Sequence, residues 1–217
     1  VTLDAAVTAM TLTTDAATTI DFSGTANATV TQNGASALVI TNSGSGNLTL
    51  ATAIATGQQY VGGSGNDTIT VTNGGLKANT TGAGDDTVTL TAVAGTGGSV
   101  DAGAGTDVLS MTAANAVTVT ASTAFEADIA NFERLTIGAI GASASTSTLA
   151  LGNLDDINYV TSAGGASNGS AITTTISGFT SGGTLAQTAL YSTNQAVTLT
   201  GSFTGSSDTF NLKADGS

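Results

Sequence analysis

Cysteine, histidine, proline and tryptophan are all absent from the 217 residues, and each absence removes a class of explanation. Without cysteine there is neither a disulfide staple nor a thiolate nucleophile, and without histidine the commonest general base is missing. The many serines and threonines have no imidazole to activate them, so the sequence argues against an active site. Basic residues are as scarce: Lys77, Arg134 and Lys213 stand against 15 acidic residues, for a formal net charge of −12. Nucleic acid is excluded as a natural partner because nothing neutralises phosphates, and attraction to anionic lipid fails for the same reason. No apolar run approaches the ~18 residues that a membrane-spanning helix needs. There is no initiating Met and no basic segment followed by an apolar one, so the chain reads as a fragment of a longer protein with its export signal and anchor elsewhere.

Only 8% of the residues are charged and 4% aromatic, well below the usual share of a globular domain. Thr, Ala, Ser and Gly take their place, yet mean hydropathy is positive at +0.26. Stacked repeats reconcile the two, because each coil buries small apolar side chains against the next.

One short phrase is written three times between Gly62 and Ser110. Its fullest copy, Gly62-Gly63-Ser64-Gly65-Asn66-Asp67-Thr68-Ile69-Thr70, matches the nonapeptide G-G-x-G-x-D-x-U-x of calcium-loaded parallel β-rolls. Thr81-Gly82-Ala83-Gly84-Asp85-Asp86-Thr87-Val88-Thr89 and Ala102-Gly103-Ala104-Gly105-Thr106-Asp107-Val108-Leu109-Ser110 depart from it at the first glycine. Glycine allows the tight turn, and the aspartate closing it offers charged oxygen to a hard cation that takes about six to eight oxygens. The apolar residue two places on, Ile69, Val88 or Leu109, opens a strand and points into the coil, while Thr68, Thr70, Thr87 and Thr89 point out.

The closing aspartates lie 19 and 21 residues apart, close to two nonapeptides per coil. Three aspartate turns are therefore expected to stack on one flank, with a Ca2+ site in each gap. The plainer turns Asn73-Gly74-Gly75 and Gly95-Thr96-Gly97-Gly98 would form the opposite flank, which lacks aspartate. The expected metal ligands are the carboxylates of Asp67, Asp86 and Asp107 and the carbonyls of Gly62, Ser64, Gly82, Ala83, Gly103 and Ala104, supported by Asn66 and Asp85. Without calcium the three carboxylates would repel one another, so folding is expected to follow ion binding.

The segment from Tyr60 to Leu109, with Gly82-Ala83-Gly84-Asp85-Asp86-Thr87-Val88 and Gly97-Gly98-Ser99-Val100 inside it, resembles the RTX proteins exported by type I secretion. More narrowly it is similar to the calcium-dependent surface-layer (S-layer) proteins of Caulobacter and its relatives. Asn131-Phe132-Glu133-Arg134-Leu135-Thr136-Ile137 and Ser207-Asp208-Thr209-Phe210-Asn211-Leu212 point the same way. The resemblance implies a secreted structural protein at the cell surface, with itself as partner in a lattice and cell-surface polysaccharide held through regions outside this chain. Two other readings stay open: a passive calcium-folding module of a secreted enzyme, and an adhesin or ice-binding solenoid with flat ranks of outward threonine.

Elsewhere strands are expected at Met10–Thr13, Thr19–Phe22, Ala28–Thr31, Ala37–Ile40 and Asn47–Leu50. After the roll they resume at Thr112–Ala121, Thr136–Ile137, Thr148–Leu151, Asn158–Thr161, Ile172–Ile176, Ala196–Thr200 and Thr209–Leu212. Phe125, Ile129 and Phe132 fall four and three apart, which predicts one short bracing helix over about 123–133, capped by Ser122 or Thr123. Glu126, Asp128 and Glu133 are its solvated face, Asp155-Asp156 a turn, and Asp4, Asp15 and Asp21 turn or surface residues. Gly178–Gly183 is the softest place for a boundary. The expected fold is all-β: a right-handed parallel β-helix or β-roll solenoid, continuous over 1–217, with its calcium-binding roll at about 60–110.

Overall fold

Runs in which Thr or Ser alternates with Val, Ile or Leu become strands wherever a turn rich in glycine or asparagine separates them. The computed structural model describes residues 2–14, 19–34, 37–72, 77–91, 98–140, 147–155, 157–164, 172–189, 195–202 and 207–214. The fold is all-β, a solenoid of parallel sheets. Packing divides the chain into two compact units, Val1–Leu109 with Ala127–Phe132, and Ser110–Glu126 with Glu133–Ser217.

The first unit contains β1 (Thr2–Leu3), β2 (Val7–Thr14), β3 (Thr19–Gly24), β4 (Ala28–Gly34), β5 (Val39–Asn42) and β6 (Leu48–Leu50). It continues with β7 (Gln59–Val61), β8 (Thr68–Val71), β9 (Ala78–Thr80), β10 (Thr87–Leu90), β11 (Ser99–Asp101), the start of β12 (Val108–Met111), and β13 (Ile129–Ala130). Odd-numbered strands stack in order in one sheet and even-numbered strands in the other, so each coil gives one strand to each. Parallel register aligns like with like: Thr87 lies beside Thr68 and Val88 beside Ile69. Inward columns form the core, with Ile69, Val88 and Leu109 fully buried as their position after the aspartate requires.

The opposite sheet carries the column Ile20, Ile40, Tyr60, Asn79, Val100 and Ile129. Asn79 is buried among apolar neighbours because both ends of its amide are used: Oδ1 accepts from the Tyr60 amide and Nδ2 donates to the Lys77 carbonyl.

The second unit holds α1 (Ala113–Val119), β14 (Arg134–Ile137), β15 (Ser147–Ala150), β16 (Tyr159–Ser162), β17 (Ile172–Phe179), β18 (Gly183–Gln187), β19 (Gln195–Gly201) and β20 (Phe210–Ala214). Strands β14-β16-β18-β20 and β15-β17-β19 stack in those orders. Leu135, Val160 and Leu185 form one buried column, Leu149 and Ile176 another, and Phe179 meets Phe210 edge-on at 5.0 Å.

Two expectations need correction. The helix forms over Ala113–Val119, where a strand was expected, and 123–133 holds only a 3-10 turn at Glu126–Asp128 followed by β13. Local hydrogen bonding decides this. Thr112 caps the helix by accepting from the Asn115 amide, and Thr118 and Thr120 turn their hydroxyls back onto the Ala114 and Ala116 carbonyls. Phe125, Ile129 and Phe132 are buried as their spacing suggested, but an irregular path brings them inward rather than a helix face. The second correction is β18, absent from the expected strands, which starts at Gly183 after β17 has run through Gly178 to Phe179. The turns at 73–75 and 95–97, and residues Asp15 and Asp156, lie outside the described residues.

Candidate functional site

Where a coil turns between its two sheets, the strand ladder stops and the backbone amides need other acceptors. In the first unit side chains supply them, in two neighbouring ladders of opposite direction. On the inner ladder each carboxylate reaches back one coil: Asp67 Oδ1 accepts from the Leu48 amide at 2.8 Å, Asp86 Oδ1 from Asp67 at 2.6 Å, and Asp107 Oδ1 from Asp86 at 2.7 Å. On the outer ladder each side chain reaches forward: Asn27 accepts from Asn47, Asn47 from Asn66, Asn66 from Asp85, and Asp85 from Thr106, at 2.9 to 3.0 Å. The intervals of 19 and 21 residues thus stack the three aspartates one per coil.

The inner column is buried, Asp67 being 1% exposed and Asp86 and Asp107 0%. Its members are not equally served. Asp67 also takes Asn42 Nδ2 at 3.0 Å and the Tyr60 hydroxyl at 2.6 Å, so both its oxygens are engaged. Burial still raises its pKa, and the Tyr60 phenol, itself desolvated and facing that carboxylate, is held neutral by a strongly raised pKa. Asp86 has no such escort. Its Oδ2 is buried without a hydrogen-bond donor, and the nearby Thr81 hydroxyl spends its proton on the Ala102 carbonyl at 2.9 Å. Burial, helped by the negative charges of Asp67 and Asp85, pushes Asp86 up to about 6.

The other expected ligands lie on the same turns. Gly62 donates its amide to the Thr80 carbonyl, Ser64 to Gly44, Ala83 to Gly63, and Gly103 to Asp101 Oδ1. The Gly82 and Ala104 carbonyls accept from the amides of Ala104 and Gly84, which leaves each one lone pair. Asn66 and Asp85 sit in the exposed outer ladder, beside the aspartate column rather than within it. Among the described residues no three His, Cys, Asp or Glu side chains converge on one metal-sized volume. The donor set is nevertheless oxygen throughout, and a buried Asp86 oxygen without a donor is the kind of group a hard cation satisfies.

Asn42 and Tyr60, which close the column at Asp67, were not among the candidates. The turn that follows Asn42 is legible: Gly44-Ser45-Gly46-Asn47-Leu48 is a fourth copy with Leu48 in the aspartate place, and Gly44 and Gly46 lie against Gly63 and Gly65. Comparison with protein families, with curated proteins and with solved structures found no match to this chain.

Proposed function

We propose that this chain is a structural, non-catalytic part of a secreted cell-surface protein, folded by Ca2+ and assembling with copies of itself in the manner of a surface layer. The observation that carries the reading is the buried column Asp67, Asp86 and Asp107, with an Asp86 oxygen that no donor serves. A buried stack of carboxylates in which one Asp86 oxygen has no donor costs free energy at neutral pH. Calcium, when bound, supplies the missing positive charge, and its binding free energy becomes folding free energy. Asp86 and Asp107 would hold it through carboxylate oxygens and Gly82, Ala83, Gly103 and Ala104 through carbonyls, while Asp67 is already secured by Asn42 and Tyr60. In a calcium-poor cytosol the roll would be loose, which suits threading through a secretion channel; extracellular modules bind at roughly 10⁻⁴ to 10⁻³ M.

Calcium titration of the purified chain, followed by circular dichroism and by electron microscopy of the same samples, tests this. The expected outcome is β-structure gained on adding calcium and ordered sheets or filaments in the folded sample. A dichroism spectrum indifferent to calcium and to chelator sinks the calcium reading. Folding without assembly at high concentration favours a passive module of a larger secreted protein instead.

A further inference from the structure

Two of the three cations in the sequence meet on one aromatic ring. The Arg134 guanidinium carbon lies 4.7 Å, and the Lys213 ammonium 5.4 Å, from the centroid of the Tyr159 ring. Register brings them there. Arg134 on β14 lies beside Tyr159 on β16, Tyr159 beside Thr184 on β18, and Thr184 beside Asn211 on β20. Lys213 is the next residue of β20 on the same face, two places beyond Asn211. Between them β18 presents only Thr184 and Ala186, so the long lysine stem can lean across to the ring.

Contact with the ring fixes where the two charges stand without neutralising them. Arg134 and Lys213 are both exposed, and neither forms an ion pair with any described residue. Two cations held together without an ion-pair partner among the described residues, on a chain of net charge −12, make a receptor for carboxylate. The abundant carboxylate surface belongs to the chain itself, with exposed residues such as Asp4 and Asp85. We infer that Arg134, Tyr159 and Lys213 form a docking point for the acidic surface of a second copy of this chain. A basic patch meeting an acidic surface can close as a two-fold pair or repeat head to tail; the self-assembly reading above takes the second, an open assembly. The inference rests on the self-assembly reading above for its choice of partner, but not on calcium.

Sedimentation velocity of the full chain, with calcium present and NaCl varied, tests it. The wild type is expected to associate with concentration and to weaken as salt rises. Arg134→Gln with Lys213→Gln should weaken self-association by about tenfold or more. Lys77→Gln, the loss of an exposed cation elsewhere, should leave it unchanged, and the double variant should still bind wild type through its intact acidic surface. The inference is overturned by wild type that stays monomeric at low salt, by association insensitive to salt, or by a double variant that associates normally. It is equally overturned if Lys77→Gln costs as much, or if wild type captures polygalacturonate without self-associating, which would make the partner an acidic glycan. Circular dichroism on the same samples separates this from the calcium reading: patch-dependent association in a chain that calcium does not fold would leave the docking point standing alone.

Discussion

Asp67 and Asp86 hold the same place in successive copies of one motif, and their neighbours make them chemically different. The coil before Asp67 offers Asn42 and the coil around it offers Tyr60, whereas the coil before Asp86 offers its Oδ2 no donor. Tyr60 is the more exacting of the two partners, because it is fully buried and its only polar atom is spent on Asp67 at 2.6 Å. Tyr60→Phe keeps the ring in the core and removes that donor, so a buried carboxylate oxygen is left with the longer Asn42 contact of 3.3 Å. The expected cost is about 1.5–3 kcal/mol, the range for a hydrogen bond to a charged group. Thermal denaturation in chelator measures it, and an unchanged midpoint would mean that the bond contributes nothing to the fold.

At the scale of the element, the turns rather than the strands set how closely coils approach. Gly103 has φ +89 and a Cβ there would fall on the Gly82 carbonyl one coil away. Gly103→Ala is therefore expected to cost about 2 kcal/mol or more and to loosen the stacking of the last two aspartates. Gly152, in the 3-10 turn Leu151–Asn153, has nothing within 4 Å of such a Cβ, and Gly152→Ala should be tolerated. Equal loss of stability in the two variants would refute the close-approach argument. The same contrast explains what was legible in the sequence. A period of two and a motif recurring at coil length identify strands and their stacking, because both are local patterns. Which residues close the column was hidden, since Tyr60 reaches Asp67 through the fold and not through spacing. The helix at Ala113–Val119 was misjudged because Val117-Thr118-Val119 has the composition of a strand, and the hydroxyls of Thr112, Thr118 and Thr120 overrule it locally.

At the scale of the molecule, the buried column makes stability depend on pH in a direction that calcium should reverse. Asp86 is pushed up to about 6 in the folded chain, while an unfolded aspartate titrates near 3.9. Between those values the folded state holds the proton and the unfolded state does not, so the stability of the calcium-free chain falls as pH rises through that window. Asp67 is raised as well and acts with the same sign. Net charge also grows more negative with pH, and general self-repulsion would give the same slope. Asp86→Asn separates the two: it removes one buried charge and keeps an acceptor for the Asp67 amide, so it should flatten the slope far more than loss of an exposed carboxylate such as Asp4. With calcium bound the same carboxylates must be ionised, and protons compete with the metal, so stability should rise with pH over the same window. Melting curves from about pH 4 to 7.5, in chelator and in saturating calcium, are thus expected to slope in opposite directions. Parallel curves would show that the aspartate column is indifferent to the ion, whatever calcium does elsewhere in the molecule.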